Sequence, residues 1–327
     1  MKPYALFPRT PGLFSSLNVQ KNMLQDEVRN RAFKEAIFRN VKKGDVVIDL
    51  GTGTGILAIW AAQAGAKKVY AIEETDVADV AEAVIKDNGF QNIISVLKAN
   101  SSKVILPESA DVLIAELAGH FLFEEGIVEA IAAARNHLLK PGARIIPQSA
   151  KVFLAPTQFA DDFDEISFWD TWENPSLGVI RSKAANTAYV ETVPRESLLA
   201  EGAEVFSIDF SDIESGLLET VAAFVCHRHG RFDGVAGWFD LELGANVFLS
   251  TSPSSEPTHW RQCIFPLERP RNVKRGEMLD LRFAIEPFIA GCKWYWKILS
   301  DSPLSHQEEH ALSITYGEGS RLLGERF

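Results

Sequence analysis

Apolar residues recur along this chain with two different periods, and the change of period divides it near residue 148. Met23, Leu24, Val28, Phe33 and Ile37 lie at helical spacing among polar residues, which predicts a helix over 20–40. Asp26 and Arg29, three apart on one face, have the spacing of an intrahelical ion pair. From 46 onward short apolar runs alternate with amphipathic stretches. The runs predict strands at 46–50, 68–73, 93–98, 110–116 and 143–147, and the stretches predict helices at 56–64, 77–88 and 124–137. This is the pattern of a parallel sheet with helices on both faces.

Beyond Pro147 the helical period gives way to short β-like runs at 151–154, 205–210, 220–226, 235–243, 247–250, 261–265, 278–285, 292–298 and 311–316. Many short strands parted by turn residues predict a barrel or sandwich. The expected architecture is therefore an α/β unit followed by an all-β barrel-like unit. A stretch between 159 and 189 fits neither. It crowds Phe163, Ile166, Phe168, Trp169 and Trp172 into an irregular insertion. Such a patch is read as a docking surface for a partner, with covering of the barrel as the alternative.

Composition narrows the class. The chain has 327 residues, 46% apolar and 24% charged, which predicts a globular protein of two domains. No apolar run is long enough to span a membrane and the first residues lack a signal-peptide core, so no membrane partner and a cytoplasmic location are expected. Cys226, Cys263 and Cys292 are scattered, without disulfide or metal spacing, as in a reducing compartment. A net charge of −11 argues against a nucleic-acid face and tolerates a cationic substrate.

The candidate chemistry starts at Val46-Val47-Ile48-Asp49-Leu50-Gly51-Thr52-Gly53-Thr54-Gly55-Ile56-Leu57. A buried strand ends in glycines that let the backbone turn tightly and approach a ligand, and a helix N-terminus follows. The spacing is G-x-G-x-G rather than the G-x-G-x-x-G of dinucleotide sites, which disfavours an oxidoreductase. Glu73, closing the second strand, is suited to ribose hydroxyls, and Asp49 to an amino group. Together these resemble the class I S-adenosylmethionine methyltransferases, with a Rossmann-like domain.

The fourth strand runs into Glu116-Leu117-Ala118-Gly119-His120-Phe121-Leu122-Phe123-Glu124-Glu125. Two acids on one turn could grip a planar guanidinium bidentately, while Glu124, Glu125 and Glu129 could equally be first-turn acids of the next helix. This loop resembles the double-glutamate loop of the protein arginine methyltransferases. Thr258-His259-Trp260 resembles that family's threonine–histidine–tryptophan loop, Met23-Leu24-x-Asp26-Glu27-Val28-Arg29 its cofactor-covering helix, and Trp169-Asp170-Thr171-Trp172-Glu173-Asn174 its dimerisation arm.

The resemblance implies an S-adenosylmethionine-binding domain over 1–148, including the N-terminal lid helix, and a β-barrel substrate domain over 149–327 with an arm at about 159–190. It implies contacts to the cofactor, and to its product S-adenosylhomocysteine, from Met23, Arg29, Asp49, Gly51, Gly53, Gly55, Glu73 and Ser102. Arg29 would pair with the cofactor carboxylate. Glu116 and Glu125 would clamp the guanidinium, His259 would pair with Asp26, orienting the barrel against the cofactor helix or, alternatively, accepting a proton, and Trp260 would border the substrate. The implied partners are an arginine-containing protein or peptide, or free arginine, and a second copy of the chain.

The sequence also departs from the family. The N-terminal aromatic motif is missing, with Phe14 alone near its place. Gln20 stands for a histidine, Leu117-Ala118 for Trp-Met, and Ser102 for an acid. These departures leave free arginine or another small guanidine open as substrate, and a non-catalytic member as a reading of another class. Elsewhere, His227 and His229 sit at alternate positions of an expected strand, a pattern that fits solvated histidines, with a metal site as the alternative. His306 and His310 have helical spacing on a polar segment, and Trp294-Tyr295-Trp296 is read as barrel packing.

Overall fold

The computed structural model describes residues 4–5, 16–161, 163–172, 175–214, 216–288, 291–299 and 309–313. Phe14, Glu173, Asn174, His306 and Tyr316 lie outside the described residues. A two-residue strand, β1 (Tyr4–Ala5), comes first. The single helix expected over 20–40 is two helices, α1 (Leu17–Gln25) and α2 (Glu27–Asn40). The break is Asp26. Its extended backbone cannot continue the first helix, and its side chain accepts from the Arg29 backbone N–H to cap the second.

The α/β unit follows. Its strands are β2 (Val46–Leu50), β3 (Lys68–Glu73), β4 (Ile94–Lys98), β5 (Ala110–Ala115) and β6 (Leu139–Ile146), and its helices are α3 (Ile56–Gln63), α4 (Val77–Asp87) and α5 (Ile127–His137). All pair parallel in the order β4-β3-β2-β5-β6. Every residue of β2 is buried, as a central strand covered on both faces must be. The order reverses between β2 and β5, so their carboxyl ends open the crevice where such sheets bind ligands. The helix expected from 124 starts only at Ile127, behind Gly126 at φ 73°. Glu124 and Glu125 therefore stay in the loop, and only Glu129 lies in the first turn.

Strand β7 (Ser149–Thr157) opens the antiparallel part, which continues with β8 (Tyr189–Glu191), β9 (Ala203–Asp209), β10 (Leu218–Val225), β11 (Gly230–Gly244), β12 (Val247–Ser250), β13 (Gln262–Val273), β14 (Met278–Phe288), β15 (Gly291–Leu299) and β16 (Glu309–Ser313). One sheet runs β1-β8-β13-β11-β7-β9 with β12 on β11, and a second runs β10-β14-β15-β16. Between them Phe121, Phe265, Phe283 and Trp294 meet edge-on at 5.1–6.0 Å between ring centres. Phe121 comes from the loop after β5, so the α/β unit plugs the barrel core with its own side chain. Gly237 of β11 makes room: a methyl there would lie 2.4 Å from the Phe121 ring.

Trp294 and Trp296 are buried on β15, as strand alternation requires. His227 and His229 sit in the connection between β10 and β11 rather than on a strand, so alternation does not bring them together. Among the described residues no three His, Cys, Asp or Glu side chains group as metal ligands. His310 falls on β16, where helical spacing to a neighbour has no meaning. Among the described residues no helix is long and apolar enough to cross a membrane.

The insertion between β7 and β8 forms two short helices, α6 (Phe168–Thr171) and α7 (Arg181–Ala185). It spends some of its aromatic residues on itself. Phe163 packs edge-on to Phe159 and Tyr189, and Ile166 is buried against Ala184 and Ala185. Phe168 and Trp172 stay exposed, at 40% and 48%. The docking reading therefore rests on Phe168 and Trp172, and the covering reading accounts for Phe163 and Ile166.

Candidate active site

Gly51, Gly53 and Gly55 all take left-handed backbone angles (φ 72°, 54° and 84°), which side chains with a Cβ seldom adopt. The loop is pinned to β3: the Gly51 and Thr52 N–H groups donate to the Ile72 carbonyl at 2.9 and 3.1 Å. Gly55 heads α3 without a side-chain cap, and of that helix's first N–H groups the Ala58 N–H turns to Asp49. A methyl on Gly51 would lie 2.6 Å from Leu117, and one on Gly53 would lie 2.8 Å from Gln20. Leu117 and Gln20, which stand where the family has tryptophan and histidine, thus both close on the glycine loop.

Asp49 is fully buried under the loop, and its Oδ2 accepts from Thr52 Oγ1 at 2.5 Å while Oδ1 has no partner. Burial pushes its carboxyl up to about 7, against the opposing pull of hydrogen bonds from Thr52 and the Ala58 backbone and of the Arg29 charge. A buried acceptor with nothing to accept is what an ammonium group would satisfy. Glu73 is held by two backbone N–H groups, Gly53 on Oε2 at 3.1 Å and Thr75 on Oε1 at 2.9 Å. Each oxygen retains a lone pair for a further donor. The unpartnered Oδ1, the glycine cradle and the braced Glu73 fit the amino acid and ribose of S-adenosylmethionine.

Arg29 is not the ion-pair partner of Asp26. Only its backbone N–H meets Asp26, because Asp26 has left the helix to cap it. The guanidinium instead crosses to β5, where Nε donates to Glu116 Oε2 at 3.0 Å and Nη2 donates to the same oxygen. Both side chains are nearly buried. A guanidinium on Glu116, within electrostatic reach of Asp49, links the crevice to the acid loop.

His259 sits against the same helix start. Its backbone N–H and its Nδ1 reach Asp26 Oδ2 at 2.8 and 2.7 Å. Burial alone would raise the Asp26 carboxyl, but these hydrogen bonds, the Arg29 N–H and the His259 charge hold it below its ordinary value. Trp260 does not offer a face to the surface. It is 1% exposed, packs on Phe239 and His259, and donates its indole N–H to the Ala118 carbonyl at 2.7 Å. An indole edge with a backbone acceptor is stable in the interior, and through it Trp260 supports the acid loop.

Glu125 is half-buried at the end of the loop and Met23 half-buried on α1 beside Gln20, while Ser102 is exposed in the turn after β4, bonded to Asn100. Sequence reading missed two residues. His120 Nδ1 donates to the Trp260 carbonyl at 2.8 Å, and burial pushes its ring down to about 4. Glu124 is buried, and its Oε1 accepts the Phe121 N–H at 2.8 Å. No local pattern marks either residue, since their partners lie on the barrel or inside the loop.

A parallel sheet in this order, with glycines after β2 and acids at the ends of β3 and β5, is a Rossmann-like nucleotide site, and its G-x-G-x-G spacing fits the class I methyltransferases. Family comparison agrees in both halves. A model described as ribosomal protein L11 methyltransferase (PrmA) matches residues 33–147, and one described as arginine methyltransferase oligomerization subdomain matches 148–291. Protein arginine N-methyltransferase PRMT10 of Arabidopsis thaliana is 34% identical over 306 residues, 82% of this chain and 80% of its own. Protein arginine N-methyltransferase 1 of Dictyostelium discoideum is 30% identical, covering 84% and 83%. Among solved structures, the Trypanosoma brucei PRMT1 enzyme–prozyme heterotetrameric complex with AdoHcy superposes with a TM-score of 0.83 at 26% identity, over 92% of this chain and 99% of that one. The open-conformation Arabidopsis thaliana PRMT10 structure gives 0.75 at 30% identity, over 93% and 98%. The chain belongs to the protein arginine N-methyltransferase family, whose methyl donor is S-adenosylmethionine.

Proposed function

We propose that this protein transfers a methyl group from S-adenosylmethionine to a guanidino nitrogen of arginine in a protein or peptide. One observation carries the reading. Glu116, at the switch point of the sheet and beside the glycine loop, already receives two N–H donors from a guanidinium. Carboxylates recognise that planar fork, and an acidic protein surface favours cationic tails.

Bound at the crevice, S-adenosylmethionine supplies an electrophilic sulfonium methyl. Asp49 Oδ1 would accept from its amino group, Glu73 would accept from the ribose hydroxyls, and Arg29 would face its carboxylate. Glu116 and Glu125 would hold the substrate guanidinium by its outer N–H groups. Localising the positive charge on the nitrogens they bind frees the lone pair of the third. That nitrogen would take the methyl as the C–S bond breaks, leaving S-adenosylhomocysteine, and its proton would pass to solvent or to the His259 imidazole held by Asp26. Positioning supplies most of the rate. Asp26 and His259 would fix the start of α2, and with it Arg29, against the barrel.

The domain junction near 148 is supported by the change from parallel to antiparallel pairing between β6 and β7. We also propose a head-to-tail homodimer through residues 159–190, supported by the exposed Phe168 and Trp172. Size-exclusion chromatography with light scattering tests this, and Trp172→Asp is expected to yield monomer.

The activity is tested by mass spectrometry with an Arg-Gly-rich peptide and free L-arginine in parallel, alongside Glu125→Gln. Gain of a methyl on the peptide, abolished by Glu125→Gln with cofactor binding retained, is the expected outcome. Transfer to free arginine alone would make this a small-molecule enzyme, and full activity of Glu125→Gln would remove the clamp from the mechanism.

A further inference from the structure

We infer that Glu124, to which the family resemblance assigns no role, is the positioning residue of the acid loop, and that it sets the rate of the transfer proposed above, on which reading this rests. The loop between Glu116 and Glu125 is a miniature hairpin. Gly119 and Leu122 exchange backbone hydrogen bonds at 3.2 and 3.1 Å, and Leu122 is forced to φ 72°. A leucine at that angle is strained, so something must hold the turn. Glu124 does so from inside. Its Oε1 accepts the Phe121 N–H at 2.8 Å, three residues back, and its side chain lies flat on Gly119. A methyl on Gly119 would sit 2.6 Å from Oε2 and 2.8 Å from the Glu124 Cβ.

The acid is 2% exposed, between Phe121, Leu122 and Phe123, which are equally buried. Phe121 is the plug in the barrel core, so Glu124 couples the shape of the hairpin to the docking of the two units. Glu125 follows directly in sequence, and Glu116 leads in. Where Glu124 holds the turn, the two clamp acids have a fixed separation.

Burial pushes the Glu124 carboxyl up to about 7. The titratable groups facing it are the Cys263 and Cys292 thiols on β13 and β15, with Arg261 and Glu129 beyond them. Both thiols are held well above their usual range, so Glu124 is the member of this cluster that ionises near neutrality. Its Oε2 has no partner to stabilise that charge. Ionisation would strain the hairpin and change the spacing of the clamp.

Amide hydrogen exchange of segment 116–126 and peptide methylation kinetics test this together, on Glu124→Ala, Glu124→Gln and Gly119→Ala. Glu124→Ala is expected to speed exchange in that segment alone by about tenfold or more, and to lower kcat by about tenfold or more, with cofactor Kd within about twofold. Gly119→Ala should do the same by a different route, which matters if Glu124→Ala fails to fold. Glu124→Gln keeps an oxygen for the Phe121 N–H. It should restore both readouts and flatten the rate profile between about pH 6 and 8. Unchanged exchange and kcat in Glu124→Ala would overturn the inference, as would faster exchange throughout the protein with loss of cofactor affinity. If the wild type methylates no guanidine, the functional reading fails, while the exchange data still decide whether Glu124 holds the loop.

Discussion

Residues 51–55 and residues 116–125 leave neighbouring strands, β2 and β5, on the same edge of one sheet, yet they are held by different means. The glycine loop is shaped by its own backbone. Three left-handed glycines, two N–H bonds to the Ile72 carbonyl, the Gly53 N–H on Glu73 and the Thr52 hydroxyl on Asp49 hold it, all within the α/β unit. The acid loop is shaped from outside and from within. Phe121 is seated in the barrel, Trp260 grips the Ala118 carbonyl, His120 grips the Trp260 carbonyl and Glu124 fills the turn. The loop that would bind the cofactor is thus autonomous, and the loop that would bind the substrate depends on the second unit.

The sharpest test of that contrast is Glu116→Gln. Loss of the charge that grips a guanidinium is expected to lower kcat by about 10²–10³, with cofactor Kd nearly unchanged in calorimetry. An equal loss of cofactor affinity would mean that Glu116 serves mainly to hold Arg29, and the two loops would not be separable. Trp260→Phe comes next. It leaves the buried Ala118 carbonyl without a donor, at a cost of about 1–3 kcal/mol in denaturant unfolding, and kcat should fall while the glycine loop keeps its affinity.

Gly51→Ala attacks the other loop. Holding alanine at φ 72° costs about 1–2 kcal/mol, and its methyl would press on Leu117. Cofactor affinity is expected to drop by about tenfold or more, with kcat at saturation little changed.

The smallest effect is a slope. Folding raises the Asp49 and Glu124 carboxyls from 3.8 and 4.5 to about 7, so the folded state binds the extra protons. Their contribution to stability is present at low pH and is lost as pH rises towards 7. His120 does the reverse. It falls from 6.5 to about 4, so its contribution grows over that span and partly cancels theirs. Denaturation midpoints of the wild type should therefore fall as pH rises from about 5 to 7, by less than the two carboxyls alone would give. Glu124→Gln, free of that carboxyl, should gain on the wild type as pH rises from about 5 to 7.5. A constant difference would show that Glu124 does not titrate there.

Much of this was legible beforehand, and the particular failures are informative. The buried strand 46–50, the glycine turn and the acid ending β3 all stand where apolar runs and turn residues placed them, because those features depend on neighbours a few positions away. Hydrophobic period predicts one helix through Asp26, since period alone carries no mark of a break, and a capping aspartate reads like any other polar position. Family resemblance separates Glu125 from Glu124 in the sequence, but hydrophobic period does not say which of the two is buried. One is buried and one half-buried because Gly126 starts the helix late and the barrel fills the space beside Phe121.

The sequence by itself determined the elements, the sheet type, the glycine loop and the residue types at strand ends. Backbone preference and hydrophobic period act over a few residues, so a short stretch contains them whole. Only the tertiary structure decided that Arg29 meets Glu116 across 87 residues, that His259 meets Asp26 across 233, and that Trp260 is buried. Those partnerships follow from strand order and from one unit plugging the other. Their energy comes from groups that become neighbours only when the whole chain has folded.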